Sequence, residues 1–300
     1  VLGSLNVDTT LHLAQMPKPG ETISAKSKTS SAGGKGANQA VAAARSHAQT
    51  SFIGQVGKDS SGTFMVQELK ANGIDTAKIK VTEQSGTGSA VILLDEHGQN
   101  SIMVYGGANQ SMTPDIFGDC EDLIAGADIL ISQFEIPQEV TLAAFKLAKQ
   151  HGVTTILNPV PAAQIISGLL EVTDLIVPNE TESASLTGIK VTDTRSMELN
   201  AEKFKAMGVA NLIITVGSRG AYFSTPAKNG FVSAFKVHAV DTTAAGDTFI
   251  GALSSQLKKD LSNVKEALVY SQKASSLTVQ RMGALPSIPT EEEIEAQYQD

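Results

Sequence analysis

From about residue 118 onward, short apolar runs alternate with amphipathic stretches. Residues 129–132, 154–157, 175–177 and 212–216 are β-rich runs of the buried type. Between them, residues 140–150, 180–186 and 201–207 have the polar and apolar mix of half-buried helices. This alternation predicts an α/β fold, a doubly wound and mainly parallel central sheet covered by helices on both faces. No internal repeat, low-complexity stretch or charged linker interrupts it, so residues 1–300 read as a single α/β domain.

Two regions depart from the alternation. Residues 9–30 contain alternating stretches around a Pro19-Gly20-Glu21-Thr22 turn. Residues 89–94 and 101–105 flank 95–100, whose Asp, His and Gly read as a hairpin tip. Short strands at about 9–30 and 89–105, with no helix among them, predict a small β-sheet inserted as a lid. Edge strands of the main sheet would read the same way.

Three hundred residues is long for one domain, but α/β sheets reach this size around a single core. A hydrophobic content of 41% with 18% charged residues excludes a disordered chain. The net charge of −8 argues against a nucleic-acid partner, because gripping a phosphate backbone needs surplus Lys and Arg. No apolar run reaches the roughly 18 residues of a membrane span. Cys120 is the only cysteine, which excludes a disulfide within the chain and fits a cytoplasmic protein with one buried thiol. Residues 1–7 already read as a strand with no leading methionine, so a few residues are expected to precede Val1.

The segment with most chemistry is 240–253, VDTTAAGDTFIGAL. Asp241 leads into small residues, then Gly246 and Asp247, then a helix with Phe249, Leu253 and Leu257 on one face. Small residues at a helix start leave backbone N–H groups uncovered, and these with the helix dipole favour an arriving anion. Asp247 in the first turn is either a general base beside that anion or a favourable charge at a helix N-terminus.

A second glycine cluster, residues 33–38, precedes a small-residue helix at 39–45. Its glycines permit a tight turn and close approach to a ligand, or merely start the helix. It is neither a P-loop nor a dinucleotide fingerprint, which would need a third glycine where Gln39 stands. Polar residues also cluster just past strand ends: Asn6 and Asp8; Glu135; Asn179 and Glu182; Thr215, Gly217, Ser218 and Gly220. Each alone reads as a turn or cap, but in a parallel sheet those ends share the edge where ligands bind. The five histidines show no metal-ligand spacing, and nothing supports a zinc site or a Ser-His-Asp triad.

Taken together, the strings LGSLNVD, PGET, GGKGANQAVAAARS, EIP, NPVPA, PNETE, TVGSRG, DTTAAGDTF and GALPSIP resemble, in order, the ribokinase family of sugar and nucleoside kinases. The resemblance runs from Val1 to about Pro289. It implies phosphoryl transfer from ATP to a sugar hydroxyl, and PGET, NPVPA and GALPSIP narrow the sugar to D-ribose and its 5-hydroxyl. Asn6, Asp8, Gly34, Lys35, Asn38 and Glu135 would hold the sugar, with Gly36, Ala37 and Asp247 beside them. Asp247 would be the catalytic base, with Ala244, Ala245, Gly246 and Asp247 supplying a backbone anion hole. Asn179 and Glu182 would lie near the phosphates and Mg2+. Thr215, Gly217, Ser218, Arg219 and Gly220 would line the nucleotide site. The same resemblance implies an activating K+ held by Asp241, Thr243, Thr278, Arg281, Gly283 and Ser287, partly through carbonyl oxygens.

One departure concerns the residue against adenine, where the family often has Asn or His and this chain offers Gln272 or Ser271. Exposed lid edges would favour a homodimer joined through the lids. The alternatives are a fructokinase-like or nucleoside kinase of the same family, or a non-catalytic sugar-responsive protein on the same fold. A Rossmann dehydrogenase is disfavoured by the missing fingerprint.

Overall fold

The computed structural model describes residues 1–298. Its chain start lies inside the central sheet: Leu2 N–H donates to Ile131 O (2.9 Å) and Gly3 N–H to Ile53 O (3.2 Å). The single strand predicted over residues 1–7 is broken at Ser4 and Leu5, where the chain steps into a second, smaller sheet. The cause is distant in sequence. Leu5 N–H is taken by Asn109 Oδ1 (2.9 Å), and the Ser4 hydroxyl donates to Glu135 Oε2 (2.6 Å). After the step, β1 (Asn6–His12) pairs antiparallel with β2 (Ser27–Gly33).

Next comes α1 (Lys35–Arg45), four residues earlier than the predicted start at 39. Gly34 at φ 93° turns the chain directly into the helix, and the first N–H groups are covered from outside it. Lys35 N–H donates to Glu135 Oε2 (3.0 Å), Gly36 N–H to Ser4 Oγ (3.2 Å) and Ala37 N–H to Ser4 O (3.0 Å). The chain then forms β3 (Ser51–Gly57), α2 (Ser60–Ala71) and β4 (Asp75–Thr82), with β3 and β4 parallel. It returns to the small sheet as the hairpin β5 (Gly88–Leu94) and β6 (Asn100–Tyr105), giving the order β2-β1-β5-β6.

The remainder alternates. After α3 (Glu121–Ala125) come β7 (Ile129–Ser132), α4 (Gln138–Gln150), β8 (Thr154–Leu157) and β9 (Leu175–Ile176). Then follow α5 (Glu180–Thr187), α6 (Thr194–Ala206) and β10 (Asn211–Thr215). Strands β7 to β10 are parallel, and β11 (Gly220–Ser224) and β12 (Asn229–Ser233) add an antiparallel edge. The chain closes with α7 (Ala245–Gln256), α8 (Val264–Thr278) and α9 (Glu291–Gln297). Helix α6 begins seven residues before the predicted 201, because Asp193 and Ser196 form a capping box there.

Successive strand residues bury on opposite faces, as the pleat requires. Leu130, Leu157, Ile176, Leu212 and Ile214 pack with Phe145 of α4 and Phe204 of α6. Ile131, Ile156, Leu175 and Ile213 pack with Phe249 and Leu253 of α7 and Leu268 of α8. Both faces are covered, which is why these strands read as unbroken apolar runs. Helix α7 also lies against α1 at very short range. A Cβ on Gly251 would stand 2.4 Å from both Ala42 Cβ and Gln39 O, so only glycine fits. Among the described residues no helix is long and apolar enough to cross a membrane.

Candidate active site

The C-terminal ends of β7 to β10, the N-termini of α1 and α7, and the near face of the small sheet enclose a cleft of about 480 Å³. Asn6, Asp8, Gly34, Lys35, Asn38, Glu135, Asn179, Glu182, Thr215, Thr243, Ala244, Gly246 and Asp247 of the sequence-derived set all line it. Residues 241 apart along the chain are thus brought to one sheet edge, the edge where such folds bind ligands.

One end is rich in hydroxyl-binding groups. Asn6 Oδ1 accepts from Asn109 Nδ2 (2.8 Å), which commits the Asn6 amide nitrogen to the cleft side as a donor. Asn38 Nδ2 donates to Asp247 Oδ2 (2.9 Å), while Asn38 Oδ1 is buried without a partner among the described residues. Such an acceptor is open to a donor from a bound molecule or water. Asp8 lies over Gly33, where a Cβ would come within 2.2 Å of its Oδ2. Burial, then the neighbouring Glu135, pushes the Asp8 carboxyl up to about 6, with Lys35 opposing. Gly36 and Ala37, expected among the sugar contacts, lie beneath the helix start and off the cleft wall. A Cβ on Gly36 would stand 2.5 Å from Ser4 N, so this glycine lets α1 sit on the chain start.

At the centre, Asp247 is 7% exposed in the first turn of α7. Burial raises its pKa, opposed by the Lys35 ammonium and by donors from Asn38 and Gln39. Burial pulls Lys35 down, but Asp247, Glu135, Glu182 and Asp8 together more than reverse this and raise its pKa. Ala244 at φ 59° adopts the left-handed conformation and starts α7 without a side-chain cap. Among the described residues, no acceptor partners the N–H groups of Gly246 and Asp247. Both lie at the positive end of the helix dipole, where backbone N–H groups favour an anion.

At the other end, Asn179 and Glu182 form a capping box on α5: Glu182 N–H donates to Asn179 Oδ1 and Asn179 N–H to Glu182 Oε2, both at 2.8 Å. Both residues also line the cleft while capping α5. Burial raises the Glu182 pKa. Gly217, Ser218, Arg219 and Gly220 form the turn beyond Thr215, outside the cleft wall. Arg219 there pairs with Glu180 and donates to Thr192 O (3.1 Å). Of the two residues considered for adenine, Ser271 is fully buried and donates to Ala267 O (2.7 Å), and Gln272 is buried as well; neither lines the cleft.

The set expected around a monovalent ion is only partly gathered by direct bonds. Asp241 Oδ1 accepts from Thr243 N–H (2.9 Å) and its hydroxyl (2.6 Å), and Oδ2 from Gly283 N–H (2.9 Å). Burial pushes the Asp241 carboxyl up, but these bonds from Thr243 and Gly283 hold it below its usual value. Thr278 bonds Thr248 of α7 (3.0 Å), and Ser287 donates to Ala284 O (2.7 Å). The Arg281 guanidinium instead forks onto Glu293 (2.9 and 3.0 Å). Among the described residues no cluster of three or more His, Cys, Asp or Glu could hold a metal, so a cation at Asp241 would rely on hydroxyl and carbonyl oxygens. Cys120 is buried and bonds Ile116 O (3.3 Å), with burial pushing its thiol up.

Sequence reasoning missed the layer beneath Asp247. Gln39, Gln133 and Asn158 are buried, Gln39 is hydrogen-bonded to each of the other two, and it also reaches Asp247. Asn158 did stand inside the NPVPA string, and Gln39 beside Asn38, but neither position announced a partner.

Asp247 and the uncovered helix start lie at the sheet edge where such folds bind ligands, and residues 1–291 match the pfkB family of carbohydrate kinases, to which the chain belongs. Within that family it stands among the ribokinases. It is 47% identical over 295 residues to the ribokinase of Staphylococcus aureus strain COL, covering 98% of this chain and 97% of that one. It is 50% identical over 295 residues to the bifunctional ribokinase/ribose-5-phosphate isomerase A of Fructilactobacillus sanfranciscensis, covering 98% of this chain but spanning only 55% of that protein. The structure of Arabidopsis thaliana ribokinase complexed with ribose and ATP superposes with a TM-score of 0.94 at 33% identity, over 100% of this chain and 97% of that one.

Proposed function

We propose that this chain is a cytoplasmic enzyme that transfers the γ-phosphoryl group of ATP to the 5-hydroxyl of D-ribose, giving D-ribose 5-phosphate and ADP. The observation that carries the reading is the pairing of Asp247 with the unpartnered N–H groups of Gly246 and Asp247 at one helix start. A carboxylate within reach of an anion site is what in-line phosphoryl transfer asks of a protein: one group to take the hydroxyl proton, others to meet charge on the equatorial oxygens. Asn6, Asp8, Asn38, Lys35 and Glu135 would hold the sugar so that its primary hydroxyl faces Asp247. As the oxygen–phosphorus bond to the sugar forms, the bond to the ADP leaving group breaks, and the hydroxyl proton passes to Asp247.

Two cations complete this reading. Bound Mg2+ would neutralise phosphate charge, and Glu182 with Asn179 suits it, since Mg2+ takes oxygen ligands and keeps several waters. Bound K+ would supply fixed positive charge beside the anion site, and the Asp241 carboxylate and Thr243 hydroxyl would offer it oxygen atoms, with N–H groups of Thr243 and Gly283 steadying the carboxylate. On this reading Asp241 also braces the loop whose N–H groups form the anion hole.

The small sheet acts as a lid. Ala90, Ile92, Ile102 and Val104 turn apolar surface toward the cleft, which supports exclusion of water that would otherwise accept the phosphoryl group. Met103 and Tyr105, on the same edge strand, are 55% and 54% exposed, which supports pairing of two lids in a homodimer. The test is ADP release with ribose, deoxyribose, fructose and adenosine as acceptors. Highest kcat/KM on ribose is expected. ATP consumption indifferent to sugar, or a clear preference for another acceptor, would overturn the assignment.

A further inference from the structure

The two oxygens of Asp247 have different surroundings. Oδ2 accepts from Asn38 Nδ2 (2.9 Å), and Asn38 lines the cleft. Oδ1 accepts from Gln39 Nε2 (3.0 Å), and Gln39 is completely buried and off the cleft wall. Gln39 is itself held at both ends of its amide. Its Nε2 also donates to Asn158 Oδ1 (3.0 Å), and its Oε1 accepts from Gln133 Nε2 (2.7 Å). Asn158 Nδ2 in turn donates to the backbone carbonyl of Val177 (2.9 Å).

A carboxamide can be turned over, exchanging donor for acceptor, but here the far end forbids it. Val177 O can only accept, so Asn158 must present its nitrogen there and its oxygen to Gln39. Gln39 must then present its nitrogen to Asn158, and the second proton on that nitrogen falls to Asp247. Gln133 must donate to the remaining Gln39 oxygen. This orientation is kept although it leaves Gln133 Oε1 buried without a partner among the described residues. A backbone carbonyl beyond β9 therefore sets the polarity of the donor that reaches the base.

We infer that Gln39 is a positioning residue for the base: it fixes the Asp247 carboxylate, ties Oδ1 to the buried side, and leaves Oδ2, on the cleft side beside Asn38, to take the hydroxyl proton. This rests on the reading of Asp247 as the base. A buried side chain serving packing alone would be apolar, because burying amides is costly unless every group is paired. The charged groups around Asp247 are Lys35 on α1, Glu135 after β7 and Glu182 on α5, with Asp8 of β1 acting on Lys35. Against two carboxylates and burial, the Gln39 donor is one of few forces keeping the base ionised.

The test uses Gln39→Leu and Gln133→Met in the full chain, each also combined with Asp247→Asn. Gln39→Leu should lower kcat about 10- to 100-fold, the loss of one hydrogen bond to a charged group. KM for ribose and for ATP should stay within about threefold, since Gln39 touches neither. The acid limb of the kcat/KM profile should move up by about one pH unit, because a donor to the charged form is gone. Gln133→Met should act in the same direction more weakly, and it carries the test if Gln39→Leu does not fold. In the Asp247→Asn background neither change should cost more than about twofold, as residues acting through one group are not additive. An unmoved acid limb, a loss residing in KM, or an equal loss without the carboxylate would overturn the inference. Near-full turnover in Asp247→Asn alone is a separate result, and would bring down the base reading and this inference with it.

Discussion

Asp8→Asn should make the protein more stable and a worse ribose binder at the same time. Asp8 stands on β1 with its carboxyl pushed up to about 6 from 3.8, first by burial and then by Glu135. At 1.36 kcal/mol per pH unit this corresponds to about 3 kcal/mol held against the charged form. Residual solvent at this half-buried position lowers the working figure to about 1–3 kcal/mol. The folded carboxyl binds its proton more tightly than the unfolded one, so between about pH 3.8 and 6 the native state carries the extra proton. Unfolding free energy therefore falls as pH rises through that window, and the whole penalty is present at pH 7.5. Asparagine is neutral throughout. Its variant should exceed the parent by about 1–3 kcal/mol at pH 7.5, roughly 2–6 °C in Tm. The gap should narrow below pH 6 and close near pH 4. Ribose KM should rise at least about tenfold, because a charged acceptor is lost, with ATP KM nearly unchanged. Thermal unfolding at pH 7.5 and pH 5, with initial rates at pH 7.5, reads all of this. A variant less stable than its parent at pH 7.5, or a gap equal at the two pH values, would refute the argument.

Asp247→Asn should depress turnover at least about 100-fold with both KM values little changed, measured by ADP release. Asp241→Ala should abolish the response of initial rate to K+ at constant ionic strength, with tetramethylammonium as the inert replacement, and leave a low ion-independent rate. A misaimed anion-hole donor is worth about 2.7–4 kcal/mol, so the parent without K+ should lose most of its rate while staying folded by circular dichroism. Met103→Glu, at an exposed position of the lid edge, should shift light-scattering mass from dimer toward monomer.

The central sheet was legible because its strands are buried on both faces, so Leu130 and Ile131, or Leu212 and Ile213, appear as one apolar run. The cleft was legible because glycine and small residues around Lys35 and Asp247 mark places where backbone must approach something. What remained hidden depends on partners far away in the chain. Residues 1–7 looked like one strand, and Asn109 breaks it from 104 residues away at Leu5. Gln39 looked like any polar helix residue, and its role comes from Gln133, Asn158 and Asp247, the last of them 208 residues on. Gly36 carried the same small-residue signal as Gly34, but one faces the cleft and the other packs against Ser4. The early start of α6 was readable in the Asp193 and Ser196 pair and was missed because the apolar pattern begins later.

Gly251 sets a clearance off the cleft wall, one helical turn from Asp247. Where α7 crosses α1, its missing side chain lets the two helix backbones touch, and α7 carries Asp247 while α1 carries Asn38 and Gln39, which donate to it. A single added methyl at that crossing would act as a wedge, tilting one helix away from the other and opening the 2.9 Å and 3.0 Å bonds to Asp247 together. The tolerance around Asp247 is thus set by the thickness of a joint one turn down the helix. A substitution there would look like an injury to the active site while touching none of its members.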